Sequence, residues 1–164
     1  MNEFQIFLDA SKHFCSFIEK GSADTEKAFL LLTQNHLLIL YNLGRNLPVV
    51  ILETDTIFNM EVNGAEMKAL LKFIGKRVPF SYYWLVLNPV DEAGLPETGT
   101  VDLIDDLGDI YSDLKEALIL FGKDDLGANE NAIFQFKFGY ENHWGEHCIE
   151  ALYAIHHFLQ VERQ

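Results

Sequence analysis

Apolar and polar residues recur with a helical period along most of the chain. The clearest case is residues 102–121, where leucine, isoleucine and phenylalanine return at three- and four-residue steps. Side chains with that spacing lie on one face of an α-helix. We therefore predict one amphipathic helix over Asp102–Phe121 and expect the rest of the chain to pack around it. Its apolar members are Leu103, Leu107, Ile110, Leu114, Leu118 and Phe121.

The same pattern predicts helices on both sides of this segment. Apolar spacing predicts a first helix over residues 2–20, and the leucine-rich residues 28–43 predict a second one that is buried around most of its circumference. A third helix begins at Asn63 or Gly64, and the last runs from about residue 130 to residue 161. The predicted fold is all-α: a single-domain bundle of five or six helices that spans residues 1–164.

Three segments do not follow the helical pattern clearly. Residues 45–60 include Pro48 and a run with strand propensity, but a strand would lack a partner in a helical chain, so we predict a short helix. Phe80–Leu87 is dense in aromatic and aliphatic residues, which predicts a buried segment that crosses the core. Asp91–Thr100 is rich in glycine and proline, which predicts an exposed loop.

Charge narrows the classes of partner. The net charge is −13, and residues 91–130 hold twelve acidic residues against two lysines. A surface this negative repels phosphate backbones and anionic lipid headgroups, so nucleic acids and membrane surfaces are excluded as expected partners. It favours cations or a basic protein.

We expect neither export nor membrane insertion. Residues 1–10 contain two acids and no basic residue, unlike a signal peptide, and the apolar runs are too short to span a bilayer. Cys15 and Cys148 each lie among apolar neighbours, which predicts buried thiols rather than a disulfide. We expect a cytoplasmic protein.

The common phosphate-binding and nucleophile motifs are missing. The sequence contains no GxxxxGK[ST], GxGxxG, GxSxG, HExxH or CxxC pattern. No cofactor is evident, and the chemistry left to consider comes from carboxylates and histidines.

The first candidate is an acidic stripe on the predicted central helix. Like charges one turn apart destabilise a helix slightly, so a compensating feature is expected. Three interpretations remain open: a solvated face, a surface that binds a basic partner, or a site for a divalent cation. The stripe consists of Asp102, Asp105, Asp106, Asp109, Asp113 and Glu116.

A solvent-facing stripe leads to a prediction about stability. Asp106→Asn combined with Asp109→Asn should leave thermal stability unchanged or slightly raised, because it removes repulsion only. The alternative is that a basic stripe on the third helix lies beside the acidic stripe. The basic stripe consists of Lys68, Lys72, Lys76 and Arg77.

The second candidate is a histidine pair. His143 and His147 lie one turn apart on the apolar side of the predicted last helix, so we expect both to be at least half buried and to bond with Asp109, Asp113 or Tyr111. Tyr111, His143 and His147 thus form a predicted buried polar cluster. The pair also suits a transition metal, but an aspartate that faces solvent could not supply the third ligand, so a structural role is favoured.

Two blocks of sequence resemble a known family. Asp105-Asp106-Leu107-Gly108-Asp109-Ile110-Tyr111-Ser112-Asp113-Leu114-Lys115-Glu116, followed by His143-Trp144-Gly145-Glu146-His147, is similar to an uncharacterised bacterial domain-of-unknown-function family. The resemblance covers about residues 64–160 and implies a helical bacterial domain. It implies no activity.

The charge pattern favours a protein-binding or accessory module that uses the acidic surface. The alternative is a Mg²⁺- or Mn²⁺-dependent phosphohydrolase of the all-α type, with Asp102–Asp113 as the metal-binding stripe. The ExxE and ExxD pairs of those enzymes are absent. Neither the oligomeric state nor a metal can be derived from the sequence.

Overall fold

The computed structural model describes residues 2–21, 23–53, 58, 60–87, 89–90 and 94–161. Six helices and one two-stranded sheet occur in these ranges, so the predicted helical fold class is confirmed. None of the helices in them combines the length and the apolar composition that a bilayer-spanning helix needs. The elements are α1 (Glu3–Lys20), α2 (Glu26–Gly44), α3 (Gly64–Ile74), β1 (Tyr82–Leu87), β2 (Glu97–Asp102), α4 (Leu103–Phe121), α5 (Leu126–Asn142) and α6 (Trp144–Val161).

Helix α4 lies at the centre, as its periodicity predicts. It contacts α1, α3, α5 and α6, and the side chains of Leu103, Leu107 and Ile110 are completely buried against them. The Asp102 carboxylate caps its N-terminus by accepting a hydrogen bond from the backbone N–H of Ile104 at 2.8 Å. Because α4 is enclosed, its polar side chains determine which polar contacts form in the interior.

The prediction for Phe80–Leu87 is wrong. This segment does not cross the core but forms β1, which pairs antiparallel with β2 so that Tyr82 lies opposite Asp102 and Leu87 opposite Glu97. The partner strand β2 includes the last four residues of the stretch predicted as an exposed loop, and residues 91–93 of that stretch lie outside the described residues. Burial alternates at the start of β1, with Tyr82 and Trp84 exposed and Tyr83 partly buried. The hairpin therefore packs one face on the helices and leaves the other open.

Residues 45–60 are also not the predicted short helix. None of the described residues in this range is helical, and Val49 and Ile51 are exposed, so the apolar run does not drive packing. Leu47 is buried, and Phe58 and Met60 pack against the core. Two backbone hydrogen bonds hold the segment as well: the N–H of Glu53 donates to Glu130 Oε1 at 3.0 Å, and the carbonyl of Phe58 accepts from Gln135. Residues 54–57 and 59 lie outside the described residues.

The predicted last helix is in fact two helices. The backbone leaves the helical conformation at His143, which has φ −152° and ψ −88°, and α6 begins at the next residue. Gly145 makes this turn possible, because a Cβ atom there would lie 2.1 Å from the carbonyl oxygen of Tyr140. Trp144 anchors the junction: it is fully buried and donates from Nε1 to the Phe136 carbonyl at 3.1 Å.

The basic stripe does not face the acidic stripe. Lys68, Lys72 and Lys76 are exposed, and among the described side chains no ion pair joins them to the aspartates of α4. Arg77 donates to the carbonyl of Gly21 at 2.7 Å. That sequence hypothesis is wrong. The predicted buried thiols are found, since Cys15 and Cys148 are both free and buried.

Glu19 connects α1 to α4 through a pH-sensitive contact. Its carboxylate accepts from Lys115 Nζ at 2.6 Å and from the Tyr111 hydroxyl at 2.9 Å. Burial pushes the pKa of Glu19 upward, but these two donors outweigh it and hold the pKa below its ordinary value of 4.5. A lowered folded-state pKa stabilises the protein above the unfolded pKa, and that stabilisation is lost as pH falls through the folded pKa.

We therefore expect wild type to exceed Glu19→Gln in free energy of unfolding at pH 7, by at most about 1 kcal/mol for so accessible a pair. The gap should shrink as the pH falls from about 4.5 through the lower folded-state pKa, because the carboxylate is then protonated in both states. Urea unfolding at pH 7 and pH 3 measures it, with Asp9→Asn on the same helix as control. A gap that does not change with pH would contradict this role of Glu19.

Candidate functional site

The acidic stripe of α4 is divided between the interior and the surface. Asp106 is only 1% exposed, whereas Asp105 is exposed and Asp109 is partly exposed. The expectation of a wholly solvent-facing stripe is therefore wrong for Asp106. The reason is visible in the spacing: Asp106 follows Leu103 by three residues and precedes Ile110 by four, which places it on the apolar face.

Asp106 joins three elements. Its Oδ2 accepts a hydrogen bond from the Tyr83 hydroxyl at 2.6 Å, and its Oδ1 lies 2.9 Å from His147 Nδ1. The carboxylate thus links the inner face of the hairpin and the first turn of α6 to α4. Burial and the bond to Asp106 raise the pKa of Tyr83, so its hydroxyl stays protonated as the donor.

His147 lies among several carboxylates. Besides Asp106, its Nε2 lies 3.5 Å from Asp109 Oδ2, and its Nδ1 lies 3.7 Å from Glu150 Oε2. The hydrogen bond to Asp106 raises the pKa of His147 and outweighs the opposing effect of burial. Burial and the proximity of Asp106 raise the pKa of Glu150. The negative charges therefore favour a cation at this position.

His143 is placed beside His147 by the break between α5 and α6. Its Nδ1 lies 2.8 Å from Asp113 Oδ2, and the two imidazole rings have centroids 4.9 Å apart. The side chain of His143 is 50% exposed and that of His147 is 23% exposed. His143 thus opens the cluster to solvent. It borders a groove of about 430 Å³, which is lined by Phe58, Met60, Glu116, Gln135 and Phe138 among others.

Two predicted site residues have other roles. Tyr111 is not part of the histidine cluster, because its hydroxyl donates to Glu19. Glu116 accepts from the backbone N–H of Val62 at 3.1 Å and from the Ser112 hydroxyl at 3.0 Å. Both residues hold neighbouring segments in place. Asp102 does the same, since besides capping α4 it accepts from the Ser81 hydroxyl at 2.6 Å.

Sequence reasoning missed two members of the cluster. Glu150 could have been found, since it lies three residues after His147 and shares a helical face with it. Tyr83 could not have been found, because its position depends on the pairing of β1 with β2, which helical spacing does not reveal. The phosphohydrolase alternative requires carboxylates of this stripe to be available for metal ions. The hydrogen bonds of Asp102 and Asp106 inside the fold count against it.

Donor atoms converge at two places in the cluster. Asp109, His143 and His147 each offer an atom within 4.8 Å of the other two, and so do Asp106, His147 and Glu150. Asp109 therefore lies near the histidines, as expected, and it is close enough to offer a third donor atom, which the sequence analysis did not expect of an aspartate that faces solvent.

The hairpin presents a second feature, an apolar surface. Tyr82 and Trp84 are each 72% exposed and Val86 is 44% exposed, all three on the outer face of β1. Their partners across the hairpin are Asp102, Thr100 and Thr98. We call Tyr82, Trp84 and Val86 the hairpin face. A second apolar surface lies on α2, where the side chains are only about half exposed. It consists of Leu31, Leu32, Leu38 and Ile39.

These features define a mainly helical domain with one small hairpin and a buried carboxylate that joins the hairpin to a histidine pair. The chain belongs to the family described as "Domain of unknown function (DUF5063)", whose family model matches residues 1–160. The predicted domain-of-unknown-function family is confirmed.

One solved structure shows the same fold. The crystal structure of protein BF1032 from Bacteroides fragilis matches with a TM-score of 0.79 and 18% identity, over 94% of this chain and 90% of that one. At that identity the likeness shows the fold alone. The curated proteins gave no match.

Proposed function

We propose that this chain is a protein-binding module whose contact surface is the hairpin face together with the carboxylates around it. The observation that carries the proposal is the exposure of Tyr82 and Trp84, at 72% each. Aromatic side chains supply most of the affinity in protein interfaces when a partner buries them. Two adjacent ones on a single face are therefore a costly arrangement in water, and a partner would relieve that cost.

The hairpin face is held in place from below. The Tyr83 hydroxyl bonds to the buried Asp106 carboxylate, and Phe80, just before β1, stacks on Phe158 of α6 with ring centroids 4.9 Å apart. A surface that is fixed before binding loses less conformational entropy when the partner arrives. This supports a binding role for the outer face over a role in packing.

Charge indicates the chemistry of the partner. Glu97 at the start of β2 and Asp105 in the first turn of α4 are both exposed, and the whole molecule carries a charge of −13. An arginine can stack on Trp84 or Tyr82 while it pairs with a carboxylate. The proposed partner is therefore a protein segment with basic and apolar side chains, in line with the expectation of a basic partner.

The test compares the two apolar surfaces of the molecule. A photoreactive amino acid replaces Trp84 in one variant and Leu38 of α2 in another, and proteins cross-linked in cells are identified by mass spectrometry. The affinity of the purified partner is then measured for wild type, Trp84→Ala and Leu38→Ala.

We expect Trp84→Ala to weaken binding at least tenfold, Leu38→Ala to leave it unchanged, and added salt to weaken it. The opposite pattern, with binding lost in Leu38→Ala and kept in Trp84→Ala, would contradict the proposal. So would the absence of any partner that cross-links from position 84 and binds in purified form.

A further inference from the structure

The geometry points to a transition-metal site formed by Asp109 of α4, His143 at the α5–α6 junction and His147 of α6. A ring nitrogen of each histidine and a carboxylate oxygen of Asp109 lie within 4.8 Å of one another. Two imidazoles and one carboxylate form a ligand set that binds Zn²⁺ or Fe²⁺. The inference is independent of the proposed partner surface on the hairpin.

The distance between two of the donors already fits a metal. His147 Nε2 lies 3.5 Å from Asp109 Oδ2. Bonds of about 2.0–2.1 Å in a tetrahedral arrangement place two ligand atoms about 3.4 Å apart. A ring nitrogen of His143 lies within 4.8 Å of the other donors, so it has to approach by at most about 1.4 Å to reach that separation. Its side chain is 50% exposed, so it has room to rotate.

Each histidine is oriented by a carboxylate on its other nitrogen. Asp106 Oδ1 lies 2.9 Å from His147 Nδ1, and Asp113 Oδ2 lies 2.8 Å from His143 Nδ1. Because an ionised carboxylate can only accept, the neutral form of each imidazole carries its proton on Nδ1 and has a free lone pair on Nε2 for a metal. This carboxylate–histidine arrangement is the one that supports metal-binding imidazoles and fixes their tautomer.

The inner set of donors acts as support for the same ion. Asp106 already accepts from Tyr83 and contacts His147, so its oxygens are occupied, and Glu150 is only 15% exposed. Asp109, by contrast, is 43% exposed, which gives an ion access from solvent. Three protein ligands with solvent access leave a coordination position for water.

The experiment titrates chelator-treated protein with Zn²⁺ by calorimetry and follows Co²⁺ binding by visible absorption, which reports tetrahedral coordination. The variants are Asp109→Asn and His143→Ala, both at partly exposed side chains that should leave the fold intact. The controls are His156→Ala, an exposed histidine on α6, and Glu150→Gln, which tests the inner donor set. Nitrogen NMR of the imidazoles identifies the ligating atoms.

We expect one Zn²⁺ per chain, shifts at the Nε2 atoms of His143 and His147, and a higher melting temperature with metal. Asp109→Asn and His143→Ala should each weaken binding at least tenfold, while His156→Ala leaves it unchanged. The inference is overturned if wild type does not bind Zn²⁺ stoichiometrically at micromolar concentration, or if His156→Ala weakens binding as much as His143→Ala does. It is also overturned if Glu150→Gln abolishes binding while Asp109→Asn does not.

Discussion

Asp106→Ala is expected to lower the free energy of unfolding by about 3–5 kcal/mol, because it removes one partner from a buried charged contact. The carboxylate is 1% exposed, and its loss leaves both the Tyr83 hydroxyl and His147 Nδ1 without their acceptor. It also removes the hydrogen bond that joins Tyr83 of the hairpin to α4. Chemical denaturation of the purified variant measures the change.

The neighbouring Asp105→Ala is the matched control. Asp105 is exposed, and burial of part of its surface together with the charge of Asp102 raises its pKa, so its carboxylate is mildly disfavoured where it is. The control should therefore unfold at the same denaturant concentration as wild type or slightly higher. Equal destabilisation by the two substitutions would show that Asp106 has no special structural role. The sequence-based expectation for Asp106→Asn with Asp109→Asn assumed that both carboxylates face solvent, and that assumption is wrong for Asp106, which is buried.

Gly145→Ala is expected to destabilise the protein by about 3 kcal/mol or more, at the upper end of the range for overpacking. A Cβ atom at this position would lie 2.1 Å from the backbone oxygen of Tyr140, and a backbone atom cannot rotate away as a side chain can. The whole α5–α6 junction has to shift, and Trp144, His143 and His147 shift with it.

Gly64→Ala is the control for this substitution. Gly64 opens α3, and no atom lies within 4 Å of the position of its Cβ. Alanine there should leave the melting temperature unchanged or raise it slightly, because alanine loses less backbone entropy than glycine on folding. A Gly145→Ala variant as stable as Gly64→Ala would mean that the junction is not as close as the structure has it.

The helices could be predicted from the sequence because their signals are local. The predicted start of α4 at Asp102 and the predicted start of α3 at Asn63 or Gly64 agree with the observed starts within one residue. Periodicity fails at His143, since the break between α5 and α6 depends on a contact between Gly145 and Tyr140 that a helical wheel does not represent.

The hairpin could not be predicted because strand pairing is not local. The apolar density of β1 fits a buried segment as well as an exposed strand, and only the pairing with β2 distinguishes the two. The candidate site depends on that pairing through Tyr83. In contrast, the burial of Asp106 could be predicted from the spacing of α4, because Asp106 shares the apolar face with Leu103 and Ile110.

The central feature of the molecule is that one carboxylate, Asp106, joins the hairpin to the histidine pair. A double-mutant cycle with Tyr83→Phe and His147→Ala tests this most directly, because the two side chains contact different oxygens of that carboxylate. We predict that the free energies of unfolding deviate from additivity by at least about 0.5 kcal/mol, since both residues share one buried partner. The same cycle with the exposed Tyr82→Phe should be additive. Additivity of Tyr83→Phe with His147→Ala would show that Asp106 does not couple the hairpin to the histidines.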